Sequence, residues 1–294
     1  MEDSYIKYLQ SLSGRTACIV PVPGNSGDVL LRMGNSSILS KCGLSLTYDL
    51  SKADYLITPG GNPAMWFAAH RKMWQYYMSK NPAAKLIIAP STFRSANSDF
   101  AQFLTENRRR ISGVFARDYS SLESLRSVVG QCRLNYGFGD DPAIHLREHA
   151  VIKELRHAGS EDYVLVAMRT DACEALGETA GLIGALEGFS PYPVNSLLRR
   201  HRFSRERKAL QQKAISASQF DLPIRYDDVS MHHNPFMFAE LIRGAAEVHT
   251  NRLHAMIMSC LLGKKTYAYS TGYGKLEAVY QASVESWAKV HFVK

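Results

Sequence analysis

The fold of the second half of this chain is decided by Ala246-Glu247-Val248-His249-Thr250-Asn251-Arg252-Leu253-His254-Ala255-Met256-Ile257-Met258-Ser259-Cys260. A β-branched run ends at Thr250-Asn251 and a 3.6-residue apolar period follows, so the sequence predicts a strand, a tight turn and a helix start. A strand that feeds directly into a helix is typical of open α/β folds, which bind ligands at the carboxyl edge of their sheets. We therefore expect Arg252 and His254 to lie at such an edge, in the first helical turn.

The residues at this predicted edge favour an anionic ligand. The amide N–H groups of a helix start, the positive end of its dipole and the Arg252 guanidinium all attract negative charge. His254 adds a side chain that can hold or release a proton near neutral pH. Both residues also have an ordinary structural interpretation. His254 would then be a buried, hydrogen-bonded histidine, and Arg252 a cation on the protein surface.

The strand–turn–helix pattern recurs along both halves of the chain. Mostly apolar runs predict strands at residues 17–22, 53–58, 85–90, 114–118, 163–169, 246–250 and 265–270. Several of them end in glycine-rich turns, among them Pro23-Gly24-Asn25-Ser26-Gly27-Asp28, after which we expect Asp28 to cap a helix from Val29 onward. This alternation predicts an α/β fold with two Rossmann-like, doubly wound domains facing one cleft.

The domain boundary is predicted from the same pattern. Residues 1–145 are expected to form the first domain and residues 146–294 the second, whose last helix, over about 275–294, is expected to pack back on the first. With 294 residues, the chain is long enough for two domains that each have a core.

Composition excludes several classes of protein. A hydrophobic fraction of 46% with 21% charged residues is that of an ordinary globular protein. The five cysteines are scattered and never form a Cys-x-x-Cys pair, which argues against a disulfide framework or a zinc site and indicates a reducing cytoplasm. The start of the chain has no apolar signal core and no apolar run approaches the ~20 residues that span a bilayer, so we expect a soluble, cytoplasmic protein without a bound metal.

The net charge of +8 points to acidic partners. Nucleic acid is the least favoured of these, because zinc-finger, RRM and KH signatures are lacking. The densest basic clusters are Arg108-Arg109-Arg110 and the run from Arg199 to Lys208. Such runs are either solvated faces or sites of peripheral association with an anionic membrane surface.

Sequence blocks in both halves match one known family. Arg252-Leu253-His254-Ala255 after a Val-x-Thr strand end, followed by Gly263-Lys264-Lys265 and Tyr273-Gly274-Lys275, resembles the C-terminal signature of the polysaccharide pyruvyl transferase family. Less specific blocks match at residues 24–28, 53–61, 115–121 and 140–143, although Asn62 stands where the family usually has a third glycine. The resemblance implies a GT-B-like fold with the acceptor on the first domain and the donor on the second.

The resemblance also implies an activity and a set of site residues. The expected reaction transfers pyruvate from phosphoenolpyruvate, without a cofactor, to two hydroxyls of a sugar and forms a cyclic ketal. His254 is the expected acid–base residue and Arg252 would neutralise the leaving phosphate. The residues expected to bind substrate are Arg169, Lys275, Asn25, Arg117, Asn251 and Leu253. The acceptor is expected to be a lipid-linked oligosaccharide at the inner face of the plasma membrane.

Two other functions remain open from the sequence. A nucleotide-sugar-dependent glycosyltransferase would use the same two-domain cleft, and a non-catalytic module would bind a glycan or an anion without turnover. For Arg117 a structural alternative also exists, in which it pairs locally while Asp118 or Ser120 caps the following helix.

Overall fold

A computed structural model of the protein describes residues 3–22, 24–63, 67–93, 98–129, 132, 134–157, 161–168, 208–228, 234–270 and 274–293. The chain divides into two compact units. Unit 1 comprises Met1–Ile152 and Ala278–Ser286, and unit 2 comprises Lys153–Glu277 and Trp287–Lys294. Each unit is built on one parallel sheet accompanied by helices, which confirms the predicted α/β class with two Rossmann-like units.

The first half of the chain alternates strands and helices. The strands are β1 (Thr16–Ile19), β2 (Ser45–Leu46), β3 (Tyr55–Thr58), β4 (Lys85–Ser91), β5 (Ile111–Ala116) and β6 (Asn135–Phe138). The helices are α1 (Ser4–Gln10), α2 (Ser26–Lys41), α3 (Phe67–Lys80), α4 (Ser98–Glu106), α5 (Tyr119–Val129) and α6 (Ala150–His157), with short 3-10 turns at Leu50–Lys52 and Pro142–Glu148.

The sheet of unit 1 has a core on each of its faces. Its strands are all parallel, in the order β2-β1-β3-β4-β5-β6, so the strand order reverses between β1 and β3. Leu86 and Ile88 of β4 pack with the aromatic residues of α3 and α4, whereas Ile87 and Ala89 face the cluster that contains Tyr5 of α1. Continuous apolar strands are expected in such a sheet because both faces are buried.

The second half of the chain repeats this arrangement. Its strands are β7 (Tyr163–Ala167), β8 (Ile224–Tyr226), β9 (Ala245–Thr250), β10 (Lys265–Tyr269) and β11 (Val290–Val293). Its helices are α7 (residues 208–217), α8 (Pro235–Arg243), α9 (Leu253–Leu261) and α10 (Lys275–Val279). Within the described ranges, the strands form one parallel sheet in the order β11-β10-β9-β7-β8.

The carboxyl edge of the second sheet is where the sequence places the candidate ligand residues. The strand order reverses between β7 and β9, and an open α/β sheet binds ligands outside the carboxyl ends of its strands at such a reversal. The residues that follow β7 and β9 therefore flank the expected ligand position. Within the described ranges these are Met168, and Asn251 with Arg252.

The end of the chain differs from the sequence-based expectation. A helix over about 275–294 was predicted, but α10 ends at Val279 and a single π turn, Tyr280–Val284, follows. Val290–Val293 then forms the edge strand β11, which pairs in parallel with β10. Backbone pairing at a sheet edge has overridden the local helical pattern, and the segment Ala278–Ser286 belongs to unit 1, where Ala282 packs against the core.

None of the helices in the described parts of the chain is both long and apolar enough to cross a lipid bilayer.

Candidate functional site

The turn between β9 and α9 is locked to the neighbouring strand. The backbone N–H of Arg252 donates to Thr250 Oγ1 at 2.9 Å, and the Thr250 hydroxyl donates to the carbonyl oxygen of Ala167 at 2.8 Å. Thr250 is the last residue of β9 and Ala167 the last of β7. One buried hydroxyl therefore fixes the path of the chain from β9 into α9 relative to β7.

The Arg252 side chain forms a bidentate ion pair with Asp228. Its Nε donates to Asp228 Oδ1 at 2.8 Å and its Nη2 donates to Oδ2 at 2.5 Å. The two side chains are only 6% and 5% exposed. Asp228 follows β8, and β7 lies between β8 and β9, so the Arg252 side chain crosses the carboxyl end of β7 to reach its partner.

The helix start places the signature residues close to the predicted positions. Arg252 is the N-cap of α9 rather than part of its first turn, and Leu253 and His254 are the first two helical residues. The guanidinium has no acceptor atom, so it cannot cap the N–H groups of the helix. It contacts Asp228 instead. Asn251 and Leu253 are each 5% exposed, whereas His254 is half-buried.

Lys275 lies beyond the next strand of the sheet. It is the first residue of α10 and follows Gly274, whose φ is +58°. β10 neighbours β9 in the sheet, so the carboxyl end of β10, six residues before Lys275, lies beside the carboxyl end of β9. The predicted ligand residue Arg169, the signature residue Tyr273 and the basic run up to Arg207 lie outside the described residues.

A buried hydrogen-bonded chain supports β9 and was not anticipated from the sequence. His249 Nε2 lies 2.6 Å from Glu247 Oε1, its Nδ1 lies 2.8 Å from the Tyr269 hydroxyl, and its ring stacks on Tyr267 at 4.7 Å. All four residues are buried, and burial lowers the pKa of His249, whereas the hydrogen bond that its ring makes to Glu247 acts in the opposite direction. In the neutral tautomer that donates from Nε2 to Glu247, Nδ1 accepts from the Tyr269 hydroxyl.

In unit 1, Arg117 lies in the interior. Its guanidinium has no exposed surface; Nη1 donates to Asp141 Oδ2 at 2.7 Å and Nε donates to Thr92 Oγ1 at 3.0 Å. Asp118 instead caps α5, because its Oδ1 accepts from the backbone N–H of Ser121 at 2.9 Å. Arg117 therefore does not pair locally, as the alternative interpretation of the sequence had it. Its ion pair with Asp141 joins the ends of β5 and β6.

Asn25 is the N-cap of α2. Its Oδ1 accepts from the Gly27 N–H at 2.9 Å, and Asp28 Oδ2 accepts from the Asn25 N–H at 2.9 Å, which completes a capping box. The expected cap at Asp28 and helix start at Val29 were therefore wrong by three residues, because the reciprocal pair stabilises an earlier start at Ser26. The half-buried Asn25 lies at the turn after β1, on the carboxyl edge of the first sheet.

One group of side chains in unit 1 has the composition of a metal site. Oxygen or nitrogen atoms of Asp3, Asp140 and His145 lie within 4.8 Å of one another. Asp3 Oδ1 accepts from the Ile6 N–H at 2.9 Å and Oδ2 accepts from the Asp140 N–H at 3.3 Å. Burial raises the pKa of both aspartates and lowers that of His145. These hydrogen bonds give the cluster a structural role, which is to tie α1 to the end of β6.

Comparison with known proteins agrees with the family resemblance. The sequence model of the family described as polysaccharide pyruvyl transferase matches residues 3–273. No curated protein matches the chain. A functionally uncharacterised protein from Klebsiella pneumoniae, known as a crystal structure, is 20% identical over 100% of both chains with a TM-score of 0.62. A UDP-GlcNAc 2-epimerase from Methanocaldococcus jannaschii is 11% identical over 95% of this chain and 88% of that chain, with a TM-score of 0.45. The Klebsiella structure supports the fold alone.

Proposed function

Because the chain belongs to the polysaccharide pyruvyl transferase family, we propose that it transfers pyruvate from phosphoenolpyruvate to two hydroxyls of a sugar and forms a cyclic ketal. The observation that carries this proposal is the Arg252-Leu253-His254 turn at the carboxyl edge of the second sheet, beside the reversal of strand order. That edge is where open α/β sheets bind their ligands.

The donor explains why the proposed site is cationic. Phosphoenolpyruvate carries a carboxylate and a phosphate, so its binding needs several positively charged donors. Arg252 and the amino end of α9 lie beside the reversal, and Lys275 begins the helix after the neighbouring strand. We assign Arg169, Asn251 and Leu253 to the same donor site as part of the proposal.

The proposed reaction has two steps. Protonation of the methylene carbon makes the adjacent carbon electrophilic, and one sugar hydroxyl adds there and loses its proton. A second hydroxyl then displaces phosphate from the same carbon and also loses its proton, which closes the ketal ring. His254 would supply and receive protons, and Arg252 would neutralise charge on the departing phosphate. Neither step requires a metal or an organic cofactor.

Unit 1 is proposed as the acceptor side. Asn25 lies at the carboxyl edge of its sheet, where a sugar hydroxyl would find hydrogen-bonding groups. Arg117 has no exposed surface, so its contribution to acceptor binding is proposed to be indirect, through the buried network that shapes this edge.

Donor identity is tested by ligand-induced stabilisation. Phosphoenolpyruvate is expected to raise the melting temperature, because a ligand at 100 times its Kd stabilises the native state by about 2.7 kcal/mol. Nucleotide sugars at the same concentrations are the comparison and are expected to leave it unchanged. The opposite pattern would identify a nucleotide-sugar glycosyltransferase. Mass spectrometry of lipid-linked oligosaccharides incubated with phosphoenolpyruvate then distinguishes ketal formation from binding without turnover.

If the acceptor is lipid-linked, the basic run from Arg199 to Lys208 is expected to promote association with anionic membranes. Each cation near an anionic membrane contributes about 1 kcal/mol to attraction at low salt. Replacing four of its arginines by glutamine is therefore expected to reduce co-sedimentation with phosphatidylglycerol vesicles, whereas neutral vesicles serve as the control. Unchanged co-sedimentation would make the run an ordinary solvated face.

A further inference from the structure

Asp228, the ion-pair partner of Arg252, is not part of the family signature, but its contact with Arg252 suggests a role for it. We propose that Asp228 is a positioning residue for pyruvyl transfer, which holds the Arg252 guanidinium in one orientation across the carboxyl end of β7. This inference rests on the proposed function, because it assigns Arg252 to the donor phosphate. It adds a residue that lies 24 positions earlier in the chain and outside every sequence block of the family resemblance.

The geometry of the pair restrains orientation as well as position. Two roughly parallel N–H···O bonds, at 2.8 and 2.5 Å, fix both the place and the plane of the guanidinium. A single contact would leave the long arginine side chain free to rotate about it. The backbone of Arg252 is held independently, by Thr250. Arg252 is therefore restrained at both its backbone and its charged end.

The pair also determines which edge of the guanidinium an anion would approach. Asp228 takes the edge formed by Nε and Nη2. A phosphate oxygen would therefore bind N–H groups of the guanidinium other than the two that donate to Asp228. By fixing the plane of the group, Asp228 fixes the direction from which the donor phosphate is bound.

Burial argues against a purely stabilising role for this pair. Both side chains are almost completely buried, at 6% and 5% exposure. Removing two charges from water is costly, and a well-packed apolar pair is often at least as stabilising as a buried ion pair. The bidentate pair contributes what an apolar pair cannot, namely a defined orientation of a positive charge beside the point where the strand order reverses.

The test compares Asp228→Asn with Asp227→Asn. The first change keeps the shape but removes the charge and one acceptor from the pair with Arg252. The second makes the same chemical change one residue earlier, at a carboxylate that lies 4.0 Å from Arg225. We expect Asp228→Asn to lower kcat by about 10-fold to 100-fold, the scale of a small misplacement of a reacting group. Its KM and Kd for phosphoenolpyruvate should not rise, because the site has lost a negative charge.

Two further measurements separate positioning from structural support. Asp228→Glu keeps the carboxylate and should recover part of the lost turnover. In nitrogen-15 NMR spectra, the Nε–H signal of Arg252 is identified as the one that disappears in Arg252→Lys. Asp228→Asn should shift this signal and speed the exchange of its proton with water.

An unshifted signal, or a kcat per folded molecule equal to that of Asp227→Asn, would overturn the role of Asp228. A wild-type protein that neither binds phosphoenolpyruvate nor forms ketal would overturn the proposed function instead.

Discussion

Replacing His254 by glutamine is expected to lower the turnover of ketal formation by roughly 100-fold or more, the typical contribution of a general acid–base group. His254 is the second residue of α9 and is half-buried, two positions after Arg252. Glutamine keeps much of the size and hydrogen-bonding capacity of histidine but cannot exchange a proton near neutral pH. Affinity for phosphoenolpyruvate and the melting temperature should therefore change much less than kcat.

Two further variants complete this experiment. His157→Gln makes the same substitution at an exposed histidine at the end of α6 and should leave all three quantities unchanged. Arg252→Lys keeps the positive charge but loses the bidentate fork, so donor affinity and turnover should both fall. If His254→Gln were stable and fully active, this histidine would have no place in the mechanism. If its activity fell only in proportion to the folded fraction, its role would be structural.

Replacing Arg117 by glutamine is expected to lower the free energy of unfolding by about 3–5 kcal/mol, the usual cost of removing one partner from a buried ion pair. The change leaves the Asp141 carboxylate without its positive partner in the interior of unit 1, and it removes the hydrogen bond to Thr92. Denaturant titration followed by tryptophan fluorescence measures the loss.

The design includes an exposed ion pair and a second-site change. Arg126→Gln removes a comparable contact to Glu123 between side chains that are 54% and 67% exposed, so it should have little effect. Adding Asp141→Asn to Arg117→Gln should recover part of the lost stability, because it removes the uncompensated charge. If Arg117→Gln kept its stability but bound the sugar acceptor more weakly, the expectation that Arg117 contacts the substrate directly would be supported instead.

The strands that the sequence predicts are the central ones of each sheet. The runs at residues 17–22, 53–58, 85–90, 114–118, 163–169, 246–250 and 265–270 correspond to β1, β3, β4, β5, β7, β9 and β10. A central parallel strand is covered on both faces, so most of its side chains are apolar, and buried polar ones such as Glu247 and His249 of β9 are hydrogen-bonded. That apolar pattern is visible in the sequence without any knowledge of neighbouring strands.

In the part of the chain that the structure describes, the four strands that were not predicted are the edges of the two sheets. β2 and β6 flank the first sheet, and β8 and β11 flank the second. Both residues of β2 are exposed, and Tyr226 of β8 is 49% exposed. An edge strand forms because its backbone pairs with a strand already in place, so its side chains need not be continuously apolar. Only the tertiary structure decides where such a strand forms.

The same distinction applies to the candidate site. The sequence by itself determined that Arg252, Leu253 and His254 follow a buried strand and open a helix, because both signals lie within a few neighbouring residues. It could not show that Arg252 pairs with Asp228 or that Arg117 pairs with Asp141. Each pair joins residues 24 positions apart, on segments that follow different strands. Opposite charges at that separation meet only when strand order brings their segments together and burial removes the competing water, and both depend on the folded sheet.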